Sequence, residues 1–207
     1  AVQSLLKIIT TSENELVLNS THVNLLLSDE RSMIELAKKM SISRLINAYY
    51  IAQVLIKFKG DKTKFLKDIV KLKTANECYL RIYMCEIIGS SETQNEQIIQ
   101  VVRESLKDNN YEVRTAAAKA LGNIRMSDKM TIDLLFSVLK TDKSKFVKVA
   151  TAGALSQLGS REAIILDSIM QGLNSQNLEL IEFTVSTAKL VSRELLIRRL
   201  TQIKNAY

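Results

Sequence analysis

The chain has 207 residues, 46% of them hydrophobic and only 5% aromatic, with six Gly and neither Trp nor Pro. That composition feeds a sizeable core or a row of small ones, and it excludes a turn-rich β protein, which would need more punctuation and β-branched alternation. The net charge of +7 suits nucleic acid, an acidic protein surface or an anionic membrane, and equally a Lys-rich solvated surface.

The predicted elements are all helices. Residues 1–27 form atypical terminal helices, followed by a pair over 29–40 and 42–58 in an uncertain register. Next come amphipathic segments FLKDIVKLK (65–73), IIQVVRESLKD (98–108) and IDLLFSVLKTD (132–142). Each precedes a second helix: YLRIYMCEIIGSS (79–91), EVRTAAAKALGNI (112–124) and FVKVATAGALSQL (146–158). Segments 161–174 and 178–191 continue the period with drifted identity, and 193–207 close the chain as a second atypical end. Thr93 and Glu96 have capping-box spacing, and Gly89, Gly122 and Gly159 are expected as left-handed helix stops.

The second helices repeat column by column. Leu80, Val113 and Val147 share one position, at offsets of 33 and 34 residues. Arg81, Arg114 and Lys148 share the next, and Ile88, Leu121 and Leu155 a third. Apolar residues at i, i+3, i+7, i+8 and i+11 mark one buried helix face. The unit is therefore helix A, turn, helix B, turn, and its end units need caps because they have no neighbour.

The stretch VRTAAAKALGNI resembles the second-helix signature of the HEAT-repeat superfamily, including its short bilin-lyase-type variant. The resemblance is strongest over residues 95–159 and recognisable over about 60–192. It implies an all-α, right-handed α-solenoid of about five helix pairs with atypical terminal helices, in one domain over 1–207. Many HEAT units kink helix A at a Pro. Its absence here implies straighter A helices.

Asp108 lies six residues before Arg114, and Asp142 six before Lys148. The resemblance implies a ladder, in which an Asp of one unit meets the basic residue of its own or the next. A carboxylate at a helix N-terminus suits the free N–H groups and the dipole, and Arg offers it a bidentate partner. Arg81, Arg114 and Lys148 are accordingly read as structural, with Arg81 expected to reach Asp108 of the following unit.

Nothing in the sequence forms a catalytic or metal constellation. His22 is the sole histidine, no Cys/His cluster has metal spacing, and no phosphate-binding glycine motif occurs, so no metal, cofactor or catalytic residue is expected. Cys78 and Cys85 lie too far apart along one helix for a disulfide and read as buried free thiols of a reducing, cytoplasmic compartment. No apolar run approaches a membrane span. The chain starts at Ala1 without Met, as a trimmed fragment would.

In an α-solenoid the B helices line the concave side. The A-to-B edge carries Lys71, Lys73, Lys107, Lys140, Lys143 and Lys145, a basic edge able to follow a phosphate backbone or to solvate the surface. The other edge is mixed, with Lys57, Lys59, Lys62 and Lys64 against Glu92 and Glu96. On the concave face the contact column reads Glu86, Lys119, Gly153, a mixture that fits a protein or peptide, while Tyr49, Tyr50, Tyr79, Tyr83 and Phe146 are expected in the core. The sequence thus points to a non-enzymatic scaffold for a protein or peptide. Nucleic-acid binding through the basic edge is the alternative, and a HEAT-like lyase or DNA-repair enzyme the third reading.

Overall fold

Asn and Asp side chains start six of the helices in this Pro-free chain. Asn14, Asp29, Asn95, Asn110, Asp128 and Asn177 each accept backbone N–H groups from the first turn that follows. Asn95 thus opens its helix, accepting from Gln97 and Ile98, in place of the capping box expected from Thr93 and Glu96. Thr93 instead accepts the Asn95 N–H.

The computed structural model describes residues 2–25 and 28–191, with 197 and 201 as isolated positions; the expected terminal helix at 193–207 lies outside the described residues apart from those two. The contacts group the chain into two units, residues 1–102 and 103–207. In the first, α1 (Val2–Thr11), α3 (Glu30–Lys39) and α5 (Thr63–Ile69) form one layer, and α2 (Glu15–Leu25), α4 (Leu45–Lys57) and α6 (Cys78–Gly89) the other. At the N-terminal end of this unit α1 and α2 pack on each other, with α1 also against α3 and α4.

Helix α7 (Glu96–Ser105) runs into the second unit. There α8 (Tyr111–Ile124), α10 (Lys145–Gln157) and α12 (Leu178–Ala188) pack as successive B helices, with α9 (Lys129–Thr141) and α11 (Ala163–Leu173) as A helices. Among the described residues there are twelve α-helices and no strand, as an α-solenoid requires. Without a Pro to bend it, α5 still gives way at Val70 to a 3-10 turn that runs to Thr74.

The alanines set the spacing of the second unit. Ala116, Ala117, Ala118 and Ala120 of α8 are buried, as are Ala150, Ala152 and Ala154 of α10. Gly122 lies inside α8 rather than at its stop. A Cβ added there would stand 2.8 Å from the Ala154 Cα. The left-handed stop falls to Arg125, at φ 60°, while Gly159 does take the expected positive φ of 87°. Helix propensity favours Ala over Gly by about 1 kcal/mol, whereas overpacking costs about 1–3 kcal/mol. Because the obstacle is backbone, Gly122→Ala is expected to lower stability by up to about 2 kcal/mol on that balance, read as a lower urea midpoint at constant slope.

The first unit holds the sole histidine in its core. His22 is 7% exposed, packs near the Tyr50 ring at 6.0 Å, and neither ring nitrogen has a hydrogen-bond partner among the described residues. Burial holds its pKa below the usual value and the Lys57 charge adds to that, against a weaker opposing pull from the Asn19 carbonyl. The fold therefore prefers neutral imidazole. Stability is full above the ordinary histidine pKa of about 6.5 and is lost as the pH falls below it. Thermal melts between pH 7.5 and 5 are expected to show that loss, and His22→Leu to flatten it.

The thiols separate. Cys85 is buried but Cys78, the first residue of α6, is half-buried; neither is in a disulfide. Among the described residues, no helix is long and apolar enough to cross a membrane and no cluster of three His, Cys, Asp or Glu side chains could hold a metal ion.

Candidate functional site

Arg81 and Arg114 lie in the first turns of α6 and α8 and face the turns that precede them. Arg114 donates through Nη1 to the Asp108 and Asn109 carbonyls, at 2.9 and 3.2 Å. Arg81, one unit earlier, donates to the Ala75 and Asn76 carbonyls at 2.7 and 3.0 Å. Both arginines thus close their own A-to-B turn through carbonyls five and six residues back. Arg81 needs no Asp in that turn to do so, which is why Ala75 and Asn76 suffice there.

Arg114 also meets the following unit. Its Nε and Nη2 donate to Asp142 Oδ2 and Oδ1 at 2.7 and 3.0 Å, with both side chains largely buried. Asp142 accepts the Ser144 N–H at 2.8 Å, as Asp108 accepts that of Asn110 at 2.9 Å. Burial alone would raise the Asp142 carboxyl. The Arg114 and Ser144 bonds, with the charges of Arg114 and Lys148, outweigh it and hold the pKa below the usual range.

A second, deeper pair was not legible in the sequence. Arg103 of α7 is 3% exposed, donating to Asp128 Oδ2 at 2.9 Å and to the Thr131 hydroxyl at 2.8 Å. Asp128 also caps α9 through the Thr131 N–H at 3.0 Å. An Arg inside an amphipathic helix reads as solvated face, and only the hairpin geometry brings Asp128 under it. Lys62 is likewise drawn inward. Its Nζ donates to the Ile56 and Ser90 carbonyls, tying the ends of α4 and α6, and burial, then the Lys59 charge, lowers its pKa against the opposing Glu92.

The basic-edge lysines are exposed in both units. In the first, Lys71 pairs with Asp68 at 2.6 Å, and Lys73 follows in the same 3-10 turn. In the second, Lys107, Lys140 and Lys143 stand at or beside the A-to-B turns, and Lys145 lines a shallow hollow with Asp167, Met170, Gln171 and Asn174.

Of the aromatics expected in the core, Tyr50 is buried there, while Tyr49, Tyr79, Tyr83 and Phe146 line the B helices partly exposed. In the first unit Tyr50 is buried, but Tyr49 is 44% exposed and stands edge-on to it at 5.2 Å. Tyr79 and Tyr83 are half-buried on α6. Tyr83 is pushed up to about 12 by burial, then by the charge of Glu86, itself exposed, and by Tyr49 and Tyr79. Glu15, Arg44, Leu45, Tyr49, Tyr50 and Tyr83 border an open apolar hollow there.

In the second unit a continuous run crosses three B helices. Tyr111 of α8 is 40% exposed, Phe146 of α10 and Phe183 of α12 are half-buried, and successive ring centroids lie 5.8 and 5.6 Å apart. Lys119, read from sequence as an outward contact residue, is exposed but holds its ammonium 4.3 Å from the Phe183 centroid. Its column position on α10 is Gly153, where a Cβ would stand 2.5 Å from Thr187 Cγ2, so no side chain blocks the reach from α8 to α12. Phe183 lies 37 residues after Phe146, off the 34-residue register, and so was not found by aligning units.

The family model of HEAT repeats matches residues 66–156, a little under half of the chain. A search of curated proteins finds no match. Among solved structures, the crystal structure of an engineered protein is similar at 16% identity, with a TM-score of 0.47, over 91% of this chain and 95% of that one.

Proposed function

We propose, on the premise of the match of residues 66–156 to the HEAT-repeat family model, that the protein is a non-enzymatic scaffold that docks a protein partner on the B helices of its second unit. The observation that carries this reading is the run Tyr111–Phe146–Phe183, three partly exposed rings, each in contact with the next, across successive B helices. Partly exposed aromatic surface on a rigid frame is the chemistry of interface anchors, which supply large contact area at little entropic cost. The neighbouring Arg114–Asp142 pair fixes α8 against the turn that begins α10, so the rings are presented preorganised.

The test is affinity capture from native extract, comparing the wild-type chain with Tyr111→Ala/Phe146→Ala. A partner protein recovered by the wild type and lost from the variant, at an unchanged circular-dichroism melt, is the expected result. Equal recovery by both overturns the reading. Recovery that nuclease treatment abolishes, together with salt-sensitive heparin retention lost on changing Lys107, Lys140, Lys143 and Lys145 to Glu, assigns the function to the basic edge instead.

A further inference from the structure

The ring run already holds a cation. Lys119 reaches from α8 to place its ammonium over Phe183, and the negative face of a ring attracts ammonium and guanidinium alike. The flanks of the run are acidic although the chain as a whole is basic. Glu112 follows Tyr111 on α8 and Glu179 lies one turn before Phe183 on α12, both exposed, and their charges add to burial in raising the Tyr111 hydroxyl. The nearby cations of α10 face elsewhere. Lys145 borders the hollow with Asp167 and Asn174 of α11 and its C-cap, and Lys148 acts on Asp142.

Resting on the docking reading above, we propose that the Tyr111–Phe146–Phe183 strip receives a basic segment of the partner, one of whose Arg or Lys side chains takes the Phe183 ring in place of Lys119. Glu112 and Glu179 supply the charge complementarity that selects a cationic segment over an acidic one. Lys119 is then an internal competitor. The free protein keeps the ring covered, and a partner must displace that ammonium to bind.

The sign of one substitution tests this. The full chain is titrated, by NMR, with a synthetic peptide of alternating Arg and Ser, and with an alternating Glu and Ser peptide as control. The Arg peptide is expected to shift the ring signals of Tyr111, Phe146 and Phe183, and the Glu peptide to leave them in place. Lys119→Gln is expected to tighten Arg-peptide binding by about two- to five-fold, the size of an exposed cation–ring contact. Glu112→Gln/Glu179→Gln, two exposed positions, is expected to weaken it, and Phe183→Leu to remove it. Weaker or unchanged binding by Lys119→Gln, equal binding of the Glu peptide, or no shift of the ring signals overturns the inference. A captured partner that depends on Tyr111 and Phe146 but is not displaced by the Arg peptide also overturns it, and leaves the docking reading standing. Capture indifferent to Tyr111→Ala/Phe146→Ala removes the docking reading itself.

Discussion

Asp128→Ala is expected to be the most damaging single change considered, costing about 3 kcal/mol. Two losses coincide. The first turn of α9 loses its cap, worth about 1 kcal/mol, and the buried Arg103 guanidinium loses the Asp128 carboxylate. Breaking a fully buried pair costs about 3–5 kcal/mol. Here the pair loss is discounted to about 2 kcal/mol, because the Asp128 side chain is 31% exposed against 3% for Arg103. For a chain of this size the loss amounts to about 6–12 °C in melting temperature. Arg103→Met is expected to cost less, since it removes the buried charge and leaves a carboxylate that water can reach. Melts of the two variants side by side check this asymmetry. If Arg103→Met were the worse of the two, the desolvated guanidinium would not be the origin of the effect.

Breaking the Arg114–Asp142 pair is expected to cost about 2–3 kcal/mol, since hydrogen bonds to charged groups contribute about 1.5–3 kcal/mol and this pair is bidentate with little exposure. A double-mutant cycle with Arg114→Ala and Asp142→Ala is expected to give losses well short of additive. The pair also sets an acid response. The Asp142 pKa is depressed in the fold, so its contribution is full above the ordinary Asp value of about 3.9 and fades as the pH falls from there toward the folded value. Urea midpoints followed below pH 5 are expected to fall more steeply for the wild type than for Arg114→Ala.

These pairs show where sequence stops being informative. Helix pairing was legible because burial imposes a 3.6-residue period on residue identity, and the Val113, Ala116, Ala120 and Leu121 pattern carries it directly. The match of residues 66–156 to the HEAT-repeat family model rests on the same pattern. The column of Arg81, Arg114 and Lys148 was visible because it recurs in register. Arg103, Asp128 and Lys62 do not recur, and nothing local distinguishes an inward-turned cation from a solvated one. Gly122 was misassigned because a glycine near a helix end serves equally as a stop or as a point of close approach. Only the position of Ala154 decides between them. Lys119 and Phe183 met unseen because their contact crosses from one helix to the next but one.

The back-bonding arginines carry a consequence for how the array comes apart. Arg114 closes its own turn through two carbonyls and reaches its neighbour through two bonds more, while Arg81 closes its turn in the same way. A turn fastened to itself does not open when the adjacent hairpin leaves. Stability then separates into a part owned by each hairpin and a part owned by each junction, as in a one-dimensional chain of coupled switches. Stretching such a molecule end to end would release it in hairpin-sized steps of about 33 residues, and weakening the Arg114–Asp142 junction would lower the force of one step while leaving the others where they were.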